Sequence, residues 1–451
     1  MLFDARGVAH STSSTVALSH YETALEQFQS YRGDALATLD AALEADFEFV
    51  SAQLFKAFVL YTISEKRYVP DAVRALDAAR ALAPRMTPRE RNLLAAGDEM
   101  VRGQWDDACR TLDAVLVEHP RDAVALQTGH LMDFFRGDAL NLRNRVARVL
   151  PHWSVEHAGY SYVLGMQAFG LEECNQYADA ERVGRRALEL QPKDGWAVHA
   201  VTHVMEMQGR IDEGIEWLEQ REQDWAPDNG FAFHNWWHLA LFYLDRGDFD
   251  RVLHLYDTAV QPEPAVFALA LVDATALLWR LHLEGIAVGD RWESVAHNWE
   301  QRVDVERGHY AFNDVHAMLS FAATGRSAAA SRLQVDLQST AIEGAAGHGM
   351  MAREVGLPLA HAIRGYARGD FATSAGVIDE VRGRAHRFGG SHAQRDLLSL
   401  TLIDAATRAG RHDLARHVLN ERIVHKPTAW SDRLQRRIDA AASASPMRAT
   451  H

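Results

Sequence analysis

Four times along the chain the tripeptide Arg-Gly-Asp falls between two stretches of helical periodicity, at Arg32-Gly-Asp34, Arg136-Gly-Asp138, Arg246-Gly-Asp248 and Arg368-Gly-Asp370. Glycine tolerates the left-handed backbone just past a helix end, and aspartate accepts hydrogen bonds from the first amides of the helix that follows. Each tripeptide therefore reads as the corner between two helices, an account that leaves no need for a cell-adhesion reading of Arg-Gly-Asp. From Ala17 onward nearly every segment is amphipathic with helical spacing, rich in Ala and Leu, and no stretch alternates convincingly with period two. An all-α chain with almost no strand is the expectation.

The corners recur at a repeat length. Gly103 and Gly137 are 34 residues apart, as are Asn175 and Gly209, and 34 is the period of a tetratricopeptide helix pair. Ser161 to Pro192 fits that repeat best, with Ala168, Tyr177, Ala180 and Ala187 on its small or aromatic packing positions. Later corners spread, so the second half holds degenerate repeats. The expected architecture is a tetratricopeptide-like α-solenoid of about ten antiparallel hairpins curled around a central groove. It forms one superhelical domain over 1–442, and 443–451 reads as a disordered tail. Ser11-Thr-Ser-Ser14 reads as the cap of the first helix, or else as a lid over an opening.

Charge and cysteine content exclude several function classes. A formal charge of −14 removes any general electrostatic reason to bind phosphate backbones or anionic lipid, so nucleic acid and membrane are not expected partners. The basic run Arg182 to Arg186 is short and helical and reads as a solvated face. No apolar run approaches the roughly 20 residues of a membrane span, and the first residues lack a secretory pattern. Two cysteines, Cys109 and Cys174, suit a reducing cytoplasm better than a disulfide framework.

The chemistry concentrates between Trp196 and His238. His199, His203 and Glu206 stand at i, i+4 and i+7, within roughly 60° of arc on one helix face. His234 and His238 repeat the i, i+4 spacing one hairpin later, beside Asn235 and Trp237. Setting Gly209 at the turn of the repeat points the first set toward the groove, and Glu172 and Glu173 take a similar place one repeat earlier.

Several motifs here are long and compositionally unusual: Gly170-Leu-Glu-Glu173, His199 to Met207, His234-Asn-Trp-Trp-His238, Val272-Asp273 with Arg280, Phe312-Asn-Asp-Val-His316, Ala352-Arg-Glu-Val-Gly-Leu-Pro358 and Gly389 to Asp396. Through them the chain resembles the tetratricopeptide repeat protein 38 family from end to end. The resemblance implies an all-helical solenoid and supplies candidate positions, but little chemistry.

His199, His203, His234 and His238 with Glu206 are candidate metal ligands for zinc or iron, because imidazoles one helical turn apart can reach one ion and a carboxylate can complete the shell. The Glu that follows the first His in zinc proteases is missing. Without metal, His203, His238 or His316 beside Glu206 or Asp314 suits acid–base catalysis near neutral pH. Asn235-x-x-His238 is echoed by Asn313-x-x-His316. Asp273 could pair with Arg280 as a structural bridge or face a ligand, while Arg280, Arg353 and Arg395, with Gln394, suit an anionic group. Cys174, next to Glu172 and Glu173, is a packing residue rather than a nucleophile. The sequence thus favours a small polar or anionic ligand in a His/Glu/Trp-lined pocket. An enzyme using that pocket is the alternative, and a scaffold for a protein or peptide partner the second.

Overall fold

The computed structural model describes residues 1–263, 267–344 and 346–444. Among the described residues the chain is all-α apart from a two-stranded antiparallel ribbon, in which Leu2 pairs with His10 and Phe3 with Ala9, and an isolated bridge between Arg32 and Asn229. All four Arg-Gly-Asp corners form as their chemistry dictates. Gly33, Gly137, Gly247 and Gly369 have φ of 79°, 66°, 86° and 80°. Asp34, Asp138, Asp248 and Asp370 accept a hydrogen bond from the backbone amide three residues on. Ser14 caps the helix Thr15–Ser30, Ser11 Oγ donates to Glu90 Oε1 at 2.8 Å and Thr12 Oγ1 to Asp46 Oδ2 at 2.5 Å, so the Ser/Thr stretch is the cap.

The helices group into two compact units. The first holds Met1–Val204, Arg221–Ala232 and Gly347, and the second Met205–Gln220, Phe233–Gly344 and His348 onward. In the first, consecutive helices pack as hairpins of the tetratricopeptide type: Thr15–Ser30 on Ala35–Ala45, Val50–Thr62 on Val69–Ala81, Pro88–Val101 on Trp105–Glu118, and Tyr160–Glu173 on Tyr177–Leu190. Within the last pair the two helices differ in kind. Every residue of the first from Ser161 to Glu173 is buried, whereas the second buries only Ala180, Gly184, Ala187 and Leu188. The first helix is therefore wrapped on all sides and the second keeps a solvated face. Ala168, Ala180 and Ala187 are fully buried, and Tyr177 packs on Leu171, Ala180 and Val204. Gly170 and Gly184 permit that closeness: a Cβ would lie 2.6 Å from Arg143 Cα at the first and 2.7 Å from Val201 Cγ2 at the second.

In the second unit Ala268–Leu283 packs on Ala311–Thr324, which in turn packs on Leu357–Ala367, and Leu357–Ala367 pairs with Phe371–Val381. His392–Arg408 then packs on His412–His425, and His412–His425 on Ala429–Ala444. Two wider π-type turns interrupt this unit at Tyr256–Val260 and Ala352–Gly356, where the sequence shows its repeats spreading. The final helix runs to Ala444, two residues beyond the expected boundary; the rest of the expected tail lies outside the described residues.

Candidate functional site

The helix Gly195–Met207 starts where Asp194 Oδ1 accepts from the amides of Trp196 and Ala197, each at 3.0 Å. It carries His199 and His203 in the first unit and Glu206 in the second. All three are buried.

In the first unit the rings of His199 and His203 lie edge to face, 4.4 Å between centroids. Phe169 packs against both, at 5.1 and 5.4 Å, and Trp196 and Phe231 close on His199 at 5.0 and 5.1 Å. His203 Nδ1 is 3.4 Å from Glu172 Oε2. Ligand-type atoms of Glu172, Glu173 and His203 all lie within 4.8 Å of one another, buried. The two carboxylates are felt nearby. The Tyr177 phenol is pushed up by burial and then by the charges of Glu172 and Glu173. Burial, opposed by Arg143 and reinforced by the same glutamates, raises the Cys174 thiol. Its Sγ donates to the Ala139 carbonyl at 3.2 Å, as a packing cysteine does.

In the second unit the helix Ala232–Arg246 presents His234 and His238 with ring centroids 4.8 Å apart. His234 Nδ1 donates to Asp273 Oδ2 at 2.6 Å and His238 Nδ1 to Glu206 Oε2 at 2.7 Å. A carboxylate oxygen only accepts, so Nδ1 carries a proton in each ring and Nε2 is the nitrogen turned away from the carboxylate. Glu206 Oε1 accepts from Lys426 Nζ at 2.5 Å, and Lys426 also faces Asp245 at 3.6 Å. Glu206 thereby orients His238 while shared with a buried ammonium, which sets it behind the imidazole. Burial raises the carboxyl of Asp273, opposed chiefly by His234, and that of Asp245, opposed chiefly by Lys426.

The remaining expected residues divide. Asp273 pairs with His234 rather than with Arg280. Arg280 donates to the carbonyls of Ala276 and Ala393 at 3.1 and 2.7 Å and lies over the Trp237 ring at 5.3 Å. Gln394 completes a capping box with Ser391 and approaches Asp273 closely enough to stabilise its charge. Arg353 donates to the Ala341 carbonyl at 3.1 Å and Arg395 to that of Gly390. Asp314 accepts from the amide of Gly308 at 3.1 Å. Asn235 and Asn313 are buried. The Asn-x-x-His echo has a limit: His316 Nδ1 donates to the Phe312 carbonyl of its own helix at 2.8 Å, not to a carboxylate. Burial, with a smaller push from Arg280, lowers His316 to about 4, so its ring is neutral.

Sequence reasoning missed Lys426 and Asp245, and with them the charge that balances Glu206. Glu206 and Lys426 are 220 positions apart, and nothing in the local sequence around Lys426-Pro427 links the two.

No family model matches the chain. Solved structures with which it aligns are helical-repeat proteins of low identity. Human IFIT1, a dimer with PPP-AAAA, aligns at 13% identity over 94% of this chain and 100% of that one, with TM-score 0.41. Yeast Tom70 aligns at 12% identity over 82% of this chain and 91% of that one, with TM-score 0.37. The Cut9 and Hcn1 hetero-tetramer of APC/C aligns at 11% identity over 97% and 95%, with TM-score 0.34.

Proposed function

We propose that this protein binds a divalent transition metal, zinc or iron, through the Nε2 atoms of His234 and His238, buried in the second unit, and that the metal serves a small polar molecule. One observation carries the reading: two buried imidazoles of the second unit each donate Nδ1–H to a buried carboxylate, His234 to Asp273 and His238 to Glu206, and in the first unit His203 Nδ1 stands 3.4 Å from Glu172 Oε2. In metal sites a carboxylate behind the ring fixes its tautomer and orientation and raises the basicity of the ligating nitrogen. Imidazole ligands of this kind suit zinc or iron, and the metal would supply Lewis acidity or an activated water.

The likeness to the tetratricopeptide repeat protein 38 family belongs to the same proposal, since its motifs at 170–173, 199–207, 234–238 and 272–273 are the segments that carry these groups. A reducing cytoplasm is the setting in which Cys109 and Cys174 stay thiols. The arginines expected to hold an anion contribute less, as Arg280, Arg353 and Arg395 are engaged with backbone carbonyls.

Elemental analysis of protein purified without chelators tests the proposal. Stoichiometric zinc or iron is expected, lost in His234→Ala and in His238→Ala. Asp273→Asn, which keeps the side-chain volume, should weaken metal affinity by about 10- to 100-fold. Absence of stoichiometric metal after growth in supplemented medium would overturn the reading, as would unchanged content in the folded variants.

A further inference from the structure

A second polar recess lies wholly within the first unit, apart from the histidine pairs. It offers about 250 Å³ of free space, part of it open to solvent, and is lined by Gln29, Tyr31, His130, Tyr162, Asp194 and Trp196 among others. Its narrow centre has room for one water-sized group. Around that centre stand buried polar atoms with no hydrogen-bond partner among the described residues: Asp194 Oδ2, Trp196 Nε1 and Gln29 Nε2. Buried polar groups are almost always satisfied, so several orphans facing one small space point to an occupant.

The chemistry of the walls narrows the occupant. Asp194 is fully buried; its Oδ1 caps the following helix, and among the described residues no cation is paired with its other oxygen. An anionic occupant would meet that carboxylate, whereas a cationic donor satisfies it. Tyr31 stacks on Trp196 with centroids 5.9 Å apart, giving aromatic faces of the kind that attract an ammonium. Burial also holds His130 neutral, lowered to about 3 with a further push from Arg145 and a small opposing effect of the Leu142 carbonyl, so the ring can accept a hydrogen bond. A Cβ at Gly165 would stand 3.0 Å from Asp194 Oδ2, so a side chain there would crowd the carboxylate.

We propose that this recess binds the primary ammonium head of a small amine, with Asp194 Oδ2 accepting from it, the faces of Tyr31 and Trp196 flanking it, and the narrow centre excluding a trimethylated head. The site stands apart from the proposed metal reading and survives its failure.

Calorimetric titration with methylammonium chloride at constant ionic strength, against tetramethylammonium and sodium chloride, tests it on the full chain. Saturable methylammonium binding is expected, at least about tenfold tighter than that of either control, a difference of one decade in Kd. Asp194→Asn retains a side-chain oxygen for the helix cap but removes the charge, and should lose the binding at least tenfold with an unchanged circular dichroism spectrum. Gly165→Ala should lose it by occlusion while leaving Asp194 intact, so the test holds even if the first variant fails to fold. Three results would overturn the proposal: no saturable binding by the unmodified protein, binding retained in both variants, or equal binding of tetramethylammonium. A peptide with a free N-terminus binding where methylammonium does not would overturn the assignment to a small amine.

Discussion

At Asp194 a carboxyl group is buried without a counter-charge among the described residues, and its pKa is pushed up to about 7 from an ordinary 3.8. Burial is the cause, only partly offset by the amides of Ala197 and Trp196. The folded state thus holds a proton that the unfolded chain releases near pH 4. The contribution of Asp194 to stability is present below that value and is lost as pH rises toward 7. Asp194→Asn should therefore gain on the unmodified protein across this window, by on the order of a few kcal/mol at pH 7, and match it near pH 4. Urea midpoints measured from pH 4 to 8 decide the sign. Lys426 poses the opposite case, a buried ammonium between Glu206 and Asp245. Lys426→Met leaves two buried carboxylates without their cation and should cost about 3–5 kcal/mol, whereas adding Glu206→Gln should recover part of that loss. An additive double mutant would rule out the coupling.

Glycine corners behave differently according to what the second helix meets. At Gly209, φ is 69° and a Cβ would stand 1.9 Å from the Pro427 carbonyl oxygen; at Gly410, φ is 72° and nothing lies within 4 Å. Gly410→Ala should cost only the left-handed conformation, about 1–2 kcal/mol. Gly209→Ala carries that cost plus displacement of backbone, and thermal unfolding should show the larger loss. Equal losses would mean that the 209 corner yields freely. The corners as such are legible in the sequence, because Gly and Asp act on their immediate neighbours. Which corner is crowded is not, since Pro427 is brought to Gly209 by packing. The first helices of the hairpins were similarly hard to read: the Tyr160–Glu173 helix is buried all round, so it lacks the one-sided pattern from which its orientation could be inferred.

Over the whole molecule the charge of −14 is distributed so that basic stretches are locally neutralised. Arg182, Arg185 and Arg186 pair with Asp179, Glu181 and Glu189 on their own helix. No helix among the described residues is long and apolar enough to cross a membrane. Binding to single-stranded homopolymeric RNA should accordingly be weaker than about 10⁻⁴ M at physiological salt, the weak end of nonspecific affinity. A steep salt-dependent binding isotherm in the micromolar range would contradict this.

The sequence by itself determined the helix hairpins, the four capped corners and the two His-x-x-x-His pairs. Each of these depends on spacing within one or two helical turns, and covalent geometry sets that spacing. Only the tertiary structure decided what stands behind each imidazole, that Lys426 balances Glu206, that Arg280 serves backbone carbonyls, and that Asp194, His130 and Gln29 share one recess. Those relations join residues up to 220 positions apart, and burial fixes them by requiring each polar group taken from water to be satisfied where packing has put it.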